Sequence, residues 1–114
     1  MPRFEIDFLY DIEQECKFII ETFKTVAYIQ FIEDDVLTRA VARSLEVIGE
    51  AVKNIDNETK NQYPLVFWKE IAGLRDKLIH HYFGIDYEIV WEVIQNEIPD
   101  LHKNIKIIIQ EIAN

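Results

Sequence analysis

The chain is poor in what a cross-linked or turn-built fold requires. It has one cysteine, Cys16, and only three glycines and three prolines in 114 residues. A single cysteine excludes an internal disulfide framework and supplies no cysteine metal cluster. So few glycines and prolines leave little room for a turn-rich all-β fold. Long apolar runs are missing as well, since stretches such as Ile107 to Ile109 are far too short to span a bilayer. The start, MPRFEIDFLYDIEQE, is charged and amphipathic rather than an apolar leader. A soluble, cytoplasmic protein without a membrane segment is expected.

Positive charge is the other shortage. Lys and Arg total 12 against 21 Asp and Glu, a net charge of −9. Phosphate contacts supply most non-specific affinity for nucleic acid, so this balance argues against indiscriminate coating of RNA or DNA. It does not exclude a focused site, because the charge is uneven. Residues 1–35 hold nine acidic and three basic side chains, and residues 36–68 balance at four each. Residues 69–81 set Lys69, Arg75 and Lys77 against Glu70 and Asp76.

What the chain has in quantity is apolar surface, 49% of residues, including five Tyr, seven Phe and two Trp. That is ample for one packed domain, 1–114, and it favours a surface used for association. The periodicity is helical nearly throughout. Phe8, Ile12, Cys16, Ile19, Ile20, Phe23 and Val26 predict a first helix over roughly 5–27, with 31–35 as a connector and Asp34 or Asp35 as the next N-cap. Leu37, Val41, Leu45, Ile48, Ala51, Val52 and Ile55 mark a second, in which Gly49 is either tolerated at some cost or lets another helix approach. Residues 56–64 read as a loop or a frayed turn.

A third helix begins near Phe67, buries Ile71, Leu74, Leu78 and Ile79, and stops at Gly84. Asp86 caps a fourth, with Ile85 and Val90 placed as a hydrophobic staple. Pro99 either kinks that helix or starts a fifth, whose apolar face is Leu101, Ile105, Ile108 and Ile112. The expected fold is all-α, an antiparallel four- to five-helix bundle.

Reactive polar side chains gather in one place, Arg75-Asp-Lys-Leu-Ile-His80-His81-Tyr82-Phe-Gly84. An imidazole titrating near neutrality moves protons, and a guanidinium holds phosphate through two hydrogen bonds. Together they suit metal-free RNA cleavage, with the His taking the 2′-hydroxyl proton and the Arg stabilising charge on the phosphorus. On one regular helix, however, Arg75 and His80 would lie about 140° and about 7.5 Å apart, whereas Arg75 and Tyr82 fall within about 20°. Either the helix distorts before Gly84, or a second copy of the chain completes the cleft.

The plain readings stand beside this one. Arg75 can be a surface ion pair, His80 a half-buried packing residue and Tyr82 a core or interface tyrosine. His81 is a solvated or packing neighbour. Asp76 can orient Arg75 or His80, or neutralise Lys69 or Lys77. His102 is expected on a solvated face, Cys16 in the core, and Trp68 and Trp91 in packing, with Trp68 near enough to line a cleft.

Arg75, four residues, His80, one residue, then Tyr82 resembles the R-x4-H-x-Y signature of the HepT-like toxins of the HEPN superfamily. SLEVIGEAVKN (44–54), YPLVFWKEIAGLRDKLIHHYFGID (63–86) and EIVWEVIQNEIPDL (88–101) are similar to that family too. The resemblance implies a HEPN fold, a homodimer with the motif at a shared cleft, and a metal-independent endoribonuclease toxin of a type II-like toxin–antitoxin pair, needing no cofactor. Arg75 and His80 would be catalytic, with Asp76 and His81 supporting; either imidazole of the doubled His80-His81 is open as the acting base. The partner would be a minimal nucleotidyltransferase (MNT) antitoxin that adenylylates Tyr82. An alternative from the same resemblance is a non-catalytic, nucleotide-binding helical partner of that transferase, which the net charge of −9 motivates. A purely structural helical dimer is the third possibility.

Overall fold

The computed structural model describes residues 3–80 and 84–113, with Ile79 and His80 described by their backbone alone. Helix α1 (Glu5–Phe23) buries Leu9, Ile12, Cys16, Ile19 and Phe23, the expected stripe in three- and four-residue steps. The Asp7 carboxylate accepts from the Phe4 N–H at 2.9 Å, so the first turn satisfies one of its own free donors. The helix ends four residues earlier than its periodicity predicts. The chain restarts as α2 (Tyr28–Glu33), where the Gln30 side chain accepts from the Ala27 N–H at 2.8 Å. The supposed connector thus contributes Phe31, which is fully buried.

Helix α3 (Asp35–Lys53) is capped as expected, the Asp34 carboxylate accepting from the Leu37 N–H at 3.0 Å. Residues 56–64, expected as a loop or frayed turn, hold a turn and a half of helix, α4 (Asn57–Gln62). The Tyr63 hydroxyl after it donates to Glu111, a bond that raises the Tyr63 pKa.

The predicted third helix is two short pieces, α5 (Trp68–Ala72) and α6 (Leu74–Leu78), broken at Gly73. It does not reach Gly84. Ile79–His80 forms a short strand, β1, antiparallel to Gly84–Ile85, β2, with Ile79 opposite Ile85 and His80 opposite Gly84. Gly84 does take the left-handed conformation, φ 78°, but in this hairpin rather than at a helix end. The Leu78 carbonyl, left open where α6 stops, accepts from the Asp86 N–H at 2.9 Å.

Asp86 then caps α7 (Tyr87–Glu92), accepting from the Ile89 N–H at 3.3 Å; Val90 is buried and Ile85 packs against the core. Helix α7 runs through a π-helical segment (Val93–Glu97) into α8 (Ile98–Ala113). The wider turn lies just before Pro99, where a proline ring would otherwise press on the carbonyl four residues back. Pro99 is thus the second residue of α8, directly after the π-helical segment, which agrees with its expected place at the start of a last helix. Leu101, Ile105 and Ile108 are buried, whereas Ile112 is exposed.

The all-α architecture follows: α1 packs against both α3 and α8, and α5 and α6 lie on α3, with α6 also against α7. Gly49 on α3 makes that last layer possible. A Cβ there would stand 3.3 Å from the Ala72 carbonyl oxygen and 3.4 Å from that of Ile71. These are backbone atoms that cannot swing aside. Gly49→Val is expected to cost about 1–3 kcal/mol by overpacking. An unchanged denaturation midpoint would show that α5 can move away at no cost. No helix among the described residues is long and apolar enough to cross a membrane.

Candidate functional site

Leu74 and Leu78, four apart on α6, are buried and turn Arg75, Asp76 and Lys77 outward. The Arg75 side chain is 53% exposed and sits between two carboxylates. Its Nε lies 3.8 Å from Glu46 Oε2 on α3, and one terminal nitrogen lies 3.6 Å from Asp76 Oδ1. Glu46 is shared, since Arg43 also reaches it at 3.7 Å. These separations exceed ordinary charge-assisted hydrogen bonds. Exposed ion pairs of this kind contribute about 0–1 kcal/mol. The guanidinium is oriented but weakly held, so a phosphate can displace either carboxylate.

The end of α6 at Leu78 changes the geometry of the motif. Arg75 is on a helix and His80 on a strand, so the regular-helix separation of about 140° does not apply to them. The His80 backbone is paired with Gly84, and its side chain lies outside the described residues, as do His81 and Tyr82 altogether. Of the two roles considered for Asp76, its carboxylate is near Arg75; it is itself 85% exposed.

Sequence reasoning missed Glu46. Only its three-residue spacing from Arg43 was legible, and nothing in a linear pattern joins it to a side chain 29 positions on. The same holds for His102, expected in solvent. Its side chain is 18% exposed, and its Nε2 lies 3.2 Å from Glu13 Oε1, bridging α8 to α1. Trp68 is buried, its indole N–H donating to the Tyr63 carbonyl at 3.0 Å, and so packs rather than lining a cleft. Trp91 packs against Phe23, Tyr28 and Phe31. Cys16 is fully buried, and burial pushes its thiol up to about 12, so it is no nucleophile. Among the described residues no group of three or more His, Cys, Asp and Glu is placed to hold a metal ion.

Near the head of the motif helix, Leu65 (82% exposed) and Phe67 (68%) project from the turn before α5. They border a hollow of about 190 Å³ whose far wall includes Glu97, Asp100 and Leu101. Two large apolar side chains in water beside a cleft are a surface suited to association.

Comparison with known proteins places this geometry in context. The model of a family described as "Ribonuclease HepT-like" matches residues 12–108. A protein of Caldanaerobacter subterraneus subsp. tengcongensis, provisionally named an RNase, is 55% identical over 104 residues, 91% of this chain and 93% of that one. One from Methanocaldococcus jannaschii, also provisionally named an RNase, is 50% identical over 113 residues, 98% of this chain and 93% of its own. A Thermococcus cleftensis protein, provisionally named ribonuclease HepT, is 42% identical over 101 residues, 89% and 92% of the two chains. No solved structure gives a significant match.

Proposed function

This chain belongs to the HepT-like ribonuclease family and is a ribonuclease, and on that premise we propose that it cuts RNA internally and without a metal ion, using Arg75 and His80. The observation that carries the assignment is the exposed Arg75 guanidinium, held by two long, displaceable contacts a few residues before His80. In the proposed reaction the His80 imidazole accepts the proton of a ribose 2′-hydroxyl. The 2′-oxygen attacks the adjacent phosphorus, the bond to the 5′-oxygen breaks, and that oxygen leaves with a proton returned by the imidazolium. Arg75 balances the charge that grows on the non-bridging oxygens. Asp76 and Glu46 keep the guanidinium pointed outward until phosphate replaces them, and His81 supports or substitutes for His80.

The functional unit is proposed to be a homodimer, with the motif segments of two copies lining one cleft; the exposed Leu65 and Phe67 support an association surface beside α5. The test is cleavage of RNA by purified, unmodified protein in the presence of chelator. Absence of cutting by demonstrably unmodified protein, together with tight nucleotide binding, would replace the enzyme reading by the nucleotide-binding one.

We further propose that the protein is the toxin of a toxin–antitoxin pair and is silenced by a minimal nucleotidyltransferase antitoxin. The Tyr82 oxygen would attack the α-phosphorus of ATP, forming a phosphodiester to AMP and releasing pyrophosphate. The new negative phosphate beside Arg75 would occupy the site and repel RNA. Co-expression with such a transferase is expected to raise the intact mass by one or more AMP units, and Tyr82→Phe to abolish the gain. An unchanged mass in the wild type would remove the adenylylation step and leave the ribonuclease step standing.

A further inference from the structure

The groove between α1 and α8 gathers positive charge in a chain that has little. Two adjoining hollows of about 660 and 270 Å³ share Glu13, His102 and Lys106. Lys103 lines the first; Lys17 and Lys24 line the second. Every lysine of α1, its C-cap and α8 therefore faces this groove. The acidic residues Asp7, Asp11, Glu15, Asp100 and Glu111 of the same two helices do not line it. Such segregation on a face of an acidic protein is unlike a mixed, solvated surface.

The four ammonium groups are also uncommitted. All four lysines are exposed, and among the described residues none comes within ion-pair distance of a carboxylate. Of the two lining acids, Glu13 is engaged by His102 at 3.2 Å, which leaves Glu21. Tyr10 and Ile107, both partly exposed, add flat and apolar surface to the larger hollow. Free cations along a groove with an exposed aromatic ring are what a single-stranded nucleic acid uses, phosphates on the cations and a base on the ring.

We propose that the α1/α8 groove is a binding site for the sugar–phosphate backbone of single-stranded RNA, separate from the Arg75 site. This rests on the ribonuclease reading above and supplies what that reading lacks. Arg75 is shared between two carboxylates and the net charge is −9, so the motif alone gives RNA few phosphate contacts. Helix α6 packs on α3 and α7, so the groove lies on elements other than the one that carries Arg75. A strand seated there would be held while the motif acts on another part of it.

The test is the affinity of the full chain for a fluorescein-labelled, 2′-O-methylated single-stranded RNA, which has no 2′-hydroxyl to react, across a salt series. The variant Lys17→Gln/Lys106→Gln is compared with Lys53→Gln/Lys60→Gln, which removes the same charge elsewhere. The groove variant is expected to raise Kd about fivefold or more at low salt and to flatten the slope of log K on log salt by about 1.4, about 0.7 per phosphate contact. The control pair should change Kd by less than about twofold. Thermal unfolding of both variants establishes that they are folded.

Equal effects from the two pairs would reduce the groove to net charge, and no effect from either would overturn the proposal. Intact RNA affinity with lost binding of an acidic protein would make the groove a protein-docking face instead. If the wild type bound no RNA at all, the ribonuclease reading would fall and take the groove with it. Wild-type binding with an unaffected groove variant overturns the groove alone.

Discussion

His80→Ala is expected to lower RNA cleavage by roughly 10²–10⁴-fold, the usual contribution of a positioned general base. Arg75→Ala should lower it by about 10²–10³-fold, the loss seen when a preorganised charge stabiliser is removed. The two effects should not multiply in the double variant, because base and charge stabiliser act on one transition state. Arg75 is exposed and its ion pairs are long, so Arg75→Ala should leave the unfolding temperature nearly unchanged. That separates lost chemistry from lost fold. Arg75→Lys keeps the charge but not the planar fork, and should restore only part of the rate.

The assay is cleavage of a labelled RNA in chelator, with mass spectrometry to establish that Tyr82 is unmodified. Full activity in both alanine variants would remove the site. Loss in His81→Ala with activity kept in His80→Ala would move the base by one residue and keep the mechanism.

Residue patterns carried the large features of the fold because those features are set by local physics. The stripes of α1 and α3 announce themselves as apolar residues at three- and four-residue steps, and Asp34 and Asp86 are short acceptors at the two helix starts they cap. What escaped was decided elsewhere in the molecule. Helix α1 stops after Phe23 although Val26 continues its stripe, since ending there lets Phe31 turn into the core. The motif helix stops at Leu78 because the Leu78 carbonyl finds the Asp86 N–H and Ile79 finds Ile85 across a two-residue ladder. Pairing that short leaves no alternation to read.

Gly84 was recognisable as a left-handed residue, but that property serves a hairpin as well as a helix end. At the site, Arg75 could be named from its place in the motif. Glu46, which holds it, could not, because the contact exists only once α6 lies on α3.

The residue hidden in the supposed connector leads to the second large effect. Phe31→Ala is expected to destabilise the protein by about 3–5 kcal/mol, the range for deleting a buried aromatic ring. A domain with about 5–15 kcal/mol in total does not absorb that loss easily. Phe31 is the one buried residue of α2, a six-residue helix too short to persist without tertiary packing. Its ring meets Phe23 at 5.4 Å, Tyr87 at 5.8 Å and Trp91 at 5.7 Å between centroids, so one side chain joins the end of α1, α2 and α7.

Removing that ring takes away edge-on aromatic contacts as well as buried area, which places the expected cost toward the upper end of the range. Helix α7 begins at Tyr87, and only its cap Asp86 separates it from the β1–β2 ladder that includes His80. Loosening α7 should therefore disturb the motif segment before the whole molecule unfolds. The expected outcome is a fall in Tm on the order of 10–20 °C, with RNA cleavage declining at temperatures below the global transition. Phe31→Leu fills most of the volume and should cost less than half as much. Thermal unfolding followed by far-ultraviolet circular dichroism, with cleavage assayed across the same temperatures, measures both. A Tm within about 3 °C of the wild type would mean that α2 is not anchored through Phe31. Cleavage lost only at the global transition would uncouple the aromatic cluster from the motif while leaving its structural weight intact.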